Sequence, residues 1–224
     1  MHVIDLPAWA EERGRVLNDF PALASGRTVL VNIDMQTVFL AEDAVYGNQH
    51  ARDIVGAVNA LSEAMHQAGA PVIWTRQTHC FEGPNAPPPW QYDLGQPAVR
   101  AGVEALQTGA HGHSLYARMA VAPDAIILDK YRYGAFSCPA GALPRTLSAL
   151  GAEMVIITGT LTNCCCESTA REANMAGYKV IFVSDATAAI TDAEHNAALL
   201  NLRASFADIR TTRAVLEMIR LSCG

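Results

Sequence analysis

Asp34, Lys130 and the three consecutive cysteines Cys164, Cys165 and Cys166 are the residues of this chain whose types could do covalent chemistry together. A thiol at neutral pH is mostly protonated, so a nucleophilic cysteine needs a base to take its proton and a positive potential to hold the thiolate. A carboxylate supplies the first, and a lysine with the leading N–H groups of a helix supplies the second. Asp34 closes an apolar run, and a buried carboxylate there is costly unless paired. From its own strand, a cap or turn role and a functional role both stand open.

Any joint chemistry depends on the elements that position these residues. Asp34 ends 28–35 (TVLVNIDM), a near-continuous apolar run suited to a strand buried on both faces. A second strand is expected at 71–76 (PVIWTR), and a third at 125–129 (AIILD) with Lys130 at its carboxyl end. The cysteines lie in 154–186, which reads as a strand (MVIIT), a glycine-containing turn at 159–163, a helical segment, a break at Gly177 and a further strand (KVIFVSDA). Two such strands around one helix run parallel, with a right-handed crossover. In open parallel sheets chemistry gathers at the carboxyl ends of strands, where helix N–H groups are unpaired.

Helices are expected at 51–69, where Ile54, Val55, Val58, Leu61, Ala64, Met65 and Ala68 recur at helical spacing before a stop at Gly69, and also at 143–150 and 193–206. A last strand is expected near 209–211. The alternation predicts an α/β fold, a three-layer α/β/α sandwich around a mainly parallel Rossmann-like sheet of about six strands. Residues 1–224 form one domain in this reading, with 1–26 as an arm packed on it or on a neighbouring subunit. Residues 77–112 have no periodic pattern and carry Gly83, Pro84 and Pro87, Pro88 and Pro89 before Trp90, as a binding loop or lid would.

A net charge of −6 with half the residues apolar argues against a nucleic-acid partner. No apolar run reaches membrane-spanning length and the first 20 residues lack a basic flank before an apolar stretch, so no membrane partner and a cytoplasmic location are expected. Cys80, Cys138 and Cys223 are scattered and the other cysteines adjacent, which reads as reduced thiols rather than a disulfide framework. His79 beside Cys80, and His111 with His113, lack ligand spacing and interleaved carboxylates, so loop histidines are preferred and no metal or cofactor is expected. Glu167 and Arg171 have the spacing of an i,i+4 pair. Thr191 or Asp192 with Glu194 reads as a helix start, His195 as a packing or capping residue, and Asp185 as a turn residue.

Over about residues 27–212 the sequence resembles the isochorismatase-like cysteine hydrolases. The likeness rests on VNIDMQTVFL, on DKYRYGAF and on TGTLTNCCCESTAREA, which carries the family pattern T-G-x-x-T-x-x-C-x-x-x-T-A-R-x-A. With its threonine at Thr162, the resemblance implies Cys165 as nucleophile, Asp34 as general base and Lys130 as the stabilising cation. It further implies a cis peptide between Thr160 and Leu161, with the Leu161 and Cys165 N–H groups forming an oxyanion hole, and Phe39 lining the pocket. Trp90, Tyr131 and Tyr133 are further wall candidates. The implied reaction is hydrolysis of a small carboxamide, ureide or lactam through a thioester, in a homodimer or homotetramer. Metal-binding members place an Asp-x-His pair after the second strand; TRQTHCFEG offers His79 without that aspartate. The alternatives are vinyl-ether hydrolysis, which in this family dispenses with the cysteine, and a silent member that binds a small molecule or a partner.

Overall fold

Every residue of strand β1 (Thr28–Ile33) is buried, as an apolar run without alternation requires when both faces of a sheet are covered. In the computed structural model, which describes residues 1–222, β1 lies inside a six-stranded sheet with β2 (Val72–Gln77), β3 (Ile126–Lys130), β4 (Met154–Thr160), β5 (Lys179–Ala188) and β6 (Asp208–Arg210). The strand order is β3-β2-β1-β4-β5-β6, and all neighbours run parallel.

Successive side chains of a strand point to opposite faces, and two cores follow from that. Leu30, Ile156 and Ile181 face α4 (Val55–Gln67) and α9 (Thr212–Ser222), meeting Val58, Leu61, Val215 and Ile219. Val29, Val31, Val155 and Phe182 face α6 (Ala142–Ala149), α7 (Glu167–Met175) and α8 (Asp192–Ser205), meeting Leu147, Ala170 and Leu202. The expected three layers are therefore present.

The structure differs from the sequence reading in local detail. The helix expected at 51–69 is two helices, α3 (Gln49–Asp53) and α4, divided at Ile54. Asn48 caps the first by accepting the His50 N–H at 3.0 Å, and Gly69 ends the second at φ +67°. The stretch 77–112 contains α5 (Pro97–Ala105), opened by its proline, and a 3₁₀ turn, His111–His113. The reading had no α9, whose start is tied down by Asp185 Oδ1 accepting from the Thr212 N–H at 2.6 Å. The 1–26 arm contains α1 (Ala8–Leu17), held to α8 by Arg203 Nε donating to Glu11 at 2.9 Å and Nη1 to the Asn18 carbonyl at 2.9 Å. No helix among the described residues is long and apolar enough to cross a membrane.

Candidate active site

The sheet order reverses direction between β1 and β4, and in such sheets the crevice beyond the carboxyl ends of those two strands is the natural binding position. Asp34 leaves β1 there and the cysteine turn leaves β4 beside it. Gly159 makes this approach possible: its φ is +112°, and a Cβ on it would stand 2.0 Å from the Ile33 carbonyl oxygen.

Asp34 has φ +50°, a left-handed conformation that aspartate tolerates better than most residues, and its side chain is fully buried. Its Oδ1 accepts from the Thr75 hydroxyl of β2 at 2.7 Å, which fixes the carboxylate plane. Its Oδ2 stands 2.7 Å from Lys130 Nζ. Lys130, at the end of the third strand as expected, belongs to the edge strand, two places from β1, and the end of β2 lies between. The long lysine side chain spans that gap. Its ammonium donates to Gln77 Oε1 at 2.6 Å and to the Arg132 carbonyl at 3.1 Å, so Gln77 in register with Lys130 is a site residue the sequence did not single out. Burial alone would favour the neutral amine. The charge of Asp34 and the neighbouring Cys165 outweigh it, and Lys130 sits above the ordinary lysine value.

The Thr160–Leu161 peptide is cis, as the resemblance implied, and Thr162–Cys166 then forms a π-helical turn leading into α7. This turn sends the three thiols to different places. Cys166 is fully buried, with Sγ 3.9 Å from the Thr158 carbonyl, and fills the core. Cys164 and Cys165 line the cavity described below. Cys165 is the one beside Lys130; a hydrogen bond with Cys164, and then burial, push its thiol well above the ordinary value, so it rests protonated. Five cysteines are free thiols, as expected; Cys223 lies outside the described residues. Glu167 and Arg171 form the expected i,i+4 pair at 2.6 Å.

His195 is more than a packing residue. It is fully buried, and its Nδ1 pairs with Thr162 Oγ1 of the cysteine turn at 2.9 Å. Its ring stacks on His2 at 4.2 Å, and His2 in turn stacks on His50 at 4.0 Å. Burial, with His2 beside it, pulls His195 down to about 4, so the ring is neutral at physiological pH. Spacing along the chain carries no sign of this stack, because its rings come from positions 2, 50 and 195.

Above the buried pair opens a cavity of about 710 Å³. It brings together Phe39, Tyr133, Leu161 and Cys165 of the expected site residues, and adds Tyr92 and His79 from the 77–112 stretch. Tyr92 packs edge-on against His79 at 4.7 Å and donates to the Tyr133 hydroxyl at 3.3 Å. Trp90 and Tyr131, expected in the wall, are not part of it. Trp90 follows the proline run and is 83% exposed, so the inward aromatic of that loop is Tyr92 instead. Tyr131 has its N–H tied to Cys138 Sγ at 3.3 Å, while Tyr133, two residues on, reaches the cavity.

His79 is buried, and its Nδ1 has no hydrogen-bond partner. Burial, and then the charges of Lys130 and Arg132, pull it to about 4. The residue two before it, Gln77, spends its amide oxygen on the Lys130 ammonium, a poor setting for a cation. Among the described residues, one cluster of metal-ligating types has its ligand atoms within 4.8 Å of one another: His2, His50 and Asp192. Its His2 is already engaged, with Nδ1 2.7 Å from Asp192 and Nε2 accepting the Ala189 N–H at 3.0 Å.

Known proteins resemble this chain in sequence and in fold. The chain is 30% identical to nicotinamidase 3 of Arabidopsis thaliana, over 80% of its own length and 81% of the relative's. It is 29% identical to the ureidoacrylate amidohydrolase RutB of Methylobacterium radiotolerans, over 83% of its own length and 76% of the relative's. The crystal structure of a cysteine hydrolase from Pseudomonas syringae pv. phaseolicola 1448A superposes with a TM-score of 0.81 at 26% identity, covering 92% of this chain and 98% of that one. The Isochorismatase domain matches residues 28–214, and the chain therefore belongs to the isochorismatase family.

Proposed function

We propose that this chain is a thiol-dependent amidohydrolase that cleaves the C–N bond of a small carboxamide, ureide or lactam through a thioester on Cys165. The observation that carries the reading is the buried Asp34–Lys130 pair, 2.7 Å apart, with the Cys165 thiol beside the same ammonium and in the cavity wall. As Cys165 Sγ attacks the carbonyl carbon, Asp34 takes its proton, and the C=O electron pair moves onto oxygen. The N–H groups of Leu161 and Cys165 receive that oxyanion, each donor being worth on the order of 3 kcal/mol in the transition state. Lys130 holds the extra negative charge in place. The tetrahedral adduct collapses, the C–N bond breaks, and the proton on Asp34 passes to the departing nitrogen as ammonia or amine. Water then attacks the thioester carbonyl and gives a proton to Asp34; the C–S bond breaks, the thiolate recovers that proton, and the acid leaves.

The test is ammonia release across amides, ureides and lactams by wild type, Cys165→Ala and Cys165→Ser, with and without chelator. Release that survives chelation and disappears in Cys165→Ala is expected. An alanine variant with full activity would overturn the reading. A homodimer or homotetramer is part of the same reading, and Val45, Tyr46 and Ile190, exposed where they line the cavity, supply apolar surface for it.

A further inference from the structure

The cavity wall is more selective than the reaction requires. Among the described residues its lining contains no Asp, Glu, Lys or Arg side chain. Phe39, Tyr46, Leu106, Leu161, Tyr92 and Ile190 make most of it apolar. The two cations whose charges reach His79 are already engaged. Lys130 is held by Asp34, Gln77 and the Arg132 carbonyl. Arg132 donates to the carbonyls of Tyr131, Asn85 and Ala86 at 2.7, 3.0 and 3.2 Å, and so is folded back onto its own loop. A carboxylate brought in by a substrate would find no free cation among the described residues of this lining, and desolvating an unpaired charge is heavily unfavourable.

The wall does offer neutral hydrogen-bonding groups. Nδ1 of His79 is sealed and without a partner, so the ring nitrogen left to meet a ligand in this wall is Nε2, which has no protein partner among the described residues. Nδ1 of His50 is also unpartnered, but that ring is held flat against His2. Tyr92 fixes the His79 ring from its edge. Burial keeps His79 uncharged at neutral pH, which suits it to a neutral group and not to an anion.

We infer that this cavity selects amides whose acyl portion is uncharged and largely apolar, aromatic or branched aliphatic, with the His79 imidazole as the polar contact that positions it. The inference rests on the thiol amidohydrolase reading and narrows its substrate class. It separates the chain from any amidohydrolase whose substrate carries its own carboxylate.

The experiment compares kcat/KM for 4-isopropylbenzamide and isovaleramide with that for 4-carbamoylbenzoate and succinamate, near-isosteric amides that bear a carboxylate. The neutral series is expected to be faster by about 100-fold or more, the scale of one unpaired charge in an apolar site. Equal or faster turnover of the anionic series would overturn the inference while leaving the thiol chemistry intact. Turnover of neither series would count against the amidohydrolase reading instead. In that event calorimetric binding of 4-isopropylbenzamide and 4-carbamoylbenzoate to Cys165→Ser decides the inference, which stands if 4-isopropylbenzamide binds more tightly and falls if 4-carbamoylbenzoate binds as well. Two variants test the wall. Tyr133→Arg, at the exposed rim, is expected to raise the anionic-to-neutral ratio about tenfold or more. His79→Leu is expected to raise KM for the neutral amides with less effect on kcat, and His79→Gln to restore it; an unchanged KM in His79→Leu removes His79 from recognition.

Discussion

Breaking the pair at the floor of the site should be expensive, and the expense should be shared between its partners. Asp34 has a side-chain exposure of 0% and Lys130 of 3%, and their charged atoms are 2.7 Å apart. In Asp34→Asn the ammonium loses its counter-charge and is left with neutral acceptors, Gln77 Oε1 and the Arg132 carbonyl among them. In Lys130→Met the carboxylate keeps the Thr75 hydroxyl alone among its described partners. Each single change strands one buried charge, and the expected loss is about 3–5 kcal/mol of unfolding free energy. Asparagine adopts the left-handed backbone of position 34 as readily as aspartate, so the first substitution adds no conformational penalty. The double variant removes both charges and should lose about 2–3 kcal/mol less than the sum of the singles. Urea unfolding at pH 7 of the four proteins measures this, with hydrolysis assayed alongside and expected to fall about 100-fold or more whenever Asp34 is changed. Single losses below about 1 kcal/mol with an additive double variant would describe a solvated surface pair. Asp34 and Lys130 would then not form a buried, polarised pair at the cavity floor.

Gln77→Leu removes a neutral acceptor from a buried ammonium and should lower stability by about 1.5–3 kcal/mol in the same urea assay. Gly159→Ala places a Cβ against the Ile33 carbonyl at a φ of +112°, so it should lose about 3 kcal/mol or more and show a lower Tm; a wild-type Tm would refute the close approach of β1 and β4. The Cys165 thiol is raised above its ordinary value of 9.0, and the reactive thiolate of an acid grows as pH rises through its pKa. Iodoacetamide modification of Cys165, followed by peptide mass spectrometry, should therefore still be accelerating at pH 9; a plateau reached below pH 7 would contradict the protonated resting state.

The strands were legible because each is a short apolar run whose burial needs no knowledge of its neighbours, and β1 and β4 were readable almost residue by residue. The helices were legible where one stripe faces the sheet, as in α4. α9 is not marked by its pattern, because Val215 and Ile219 alone are too few buried positions to set a helical period. α5 was hidden in a proline- and glycine-rich stretch whose local pattern is weak. At the candidate site, Asp34, Lys130 and the cysteine run stand out by residue type at strand ends, and only the match of the cysteine turn to a family pattern singles out Cys165. Thr75, Gln77 and Tyr92 are ordinary residue types in ordinary places, and nothing in their spacing marks them.

Residue type and periodicity thus determined the α/β architecture, and the family resemblance alone implied the cis turn and the choice of Cys165, since strands and helices depend on local chemistry and on contacts near in sequence. The order of strands, and with it everything that depends on which ends are neighbours, was decided only by the tertiary structure. Lys130 had to arrive from an edge strand and reach across β2, making Gln77 its partner. His2, His50 and His195 had to meet over nearly 200 residues of chain. Trp90 had to face water while Tyr92 turned inward. Side-chain direction in a loop, and pairing between distant segments, are set by the lowest free energy of the whole packed chain. No window of sequence contains that information.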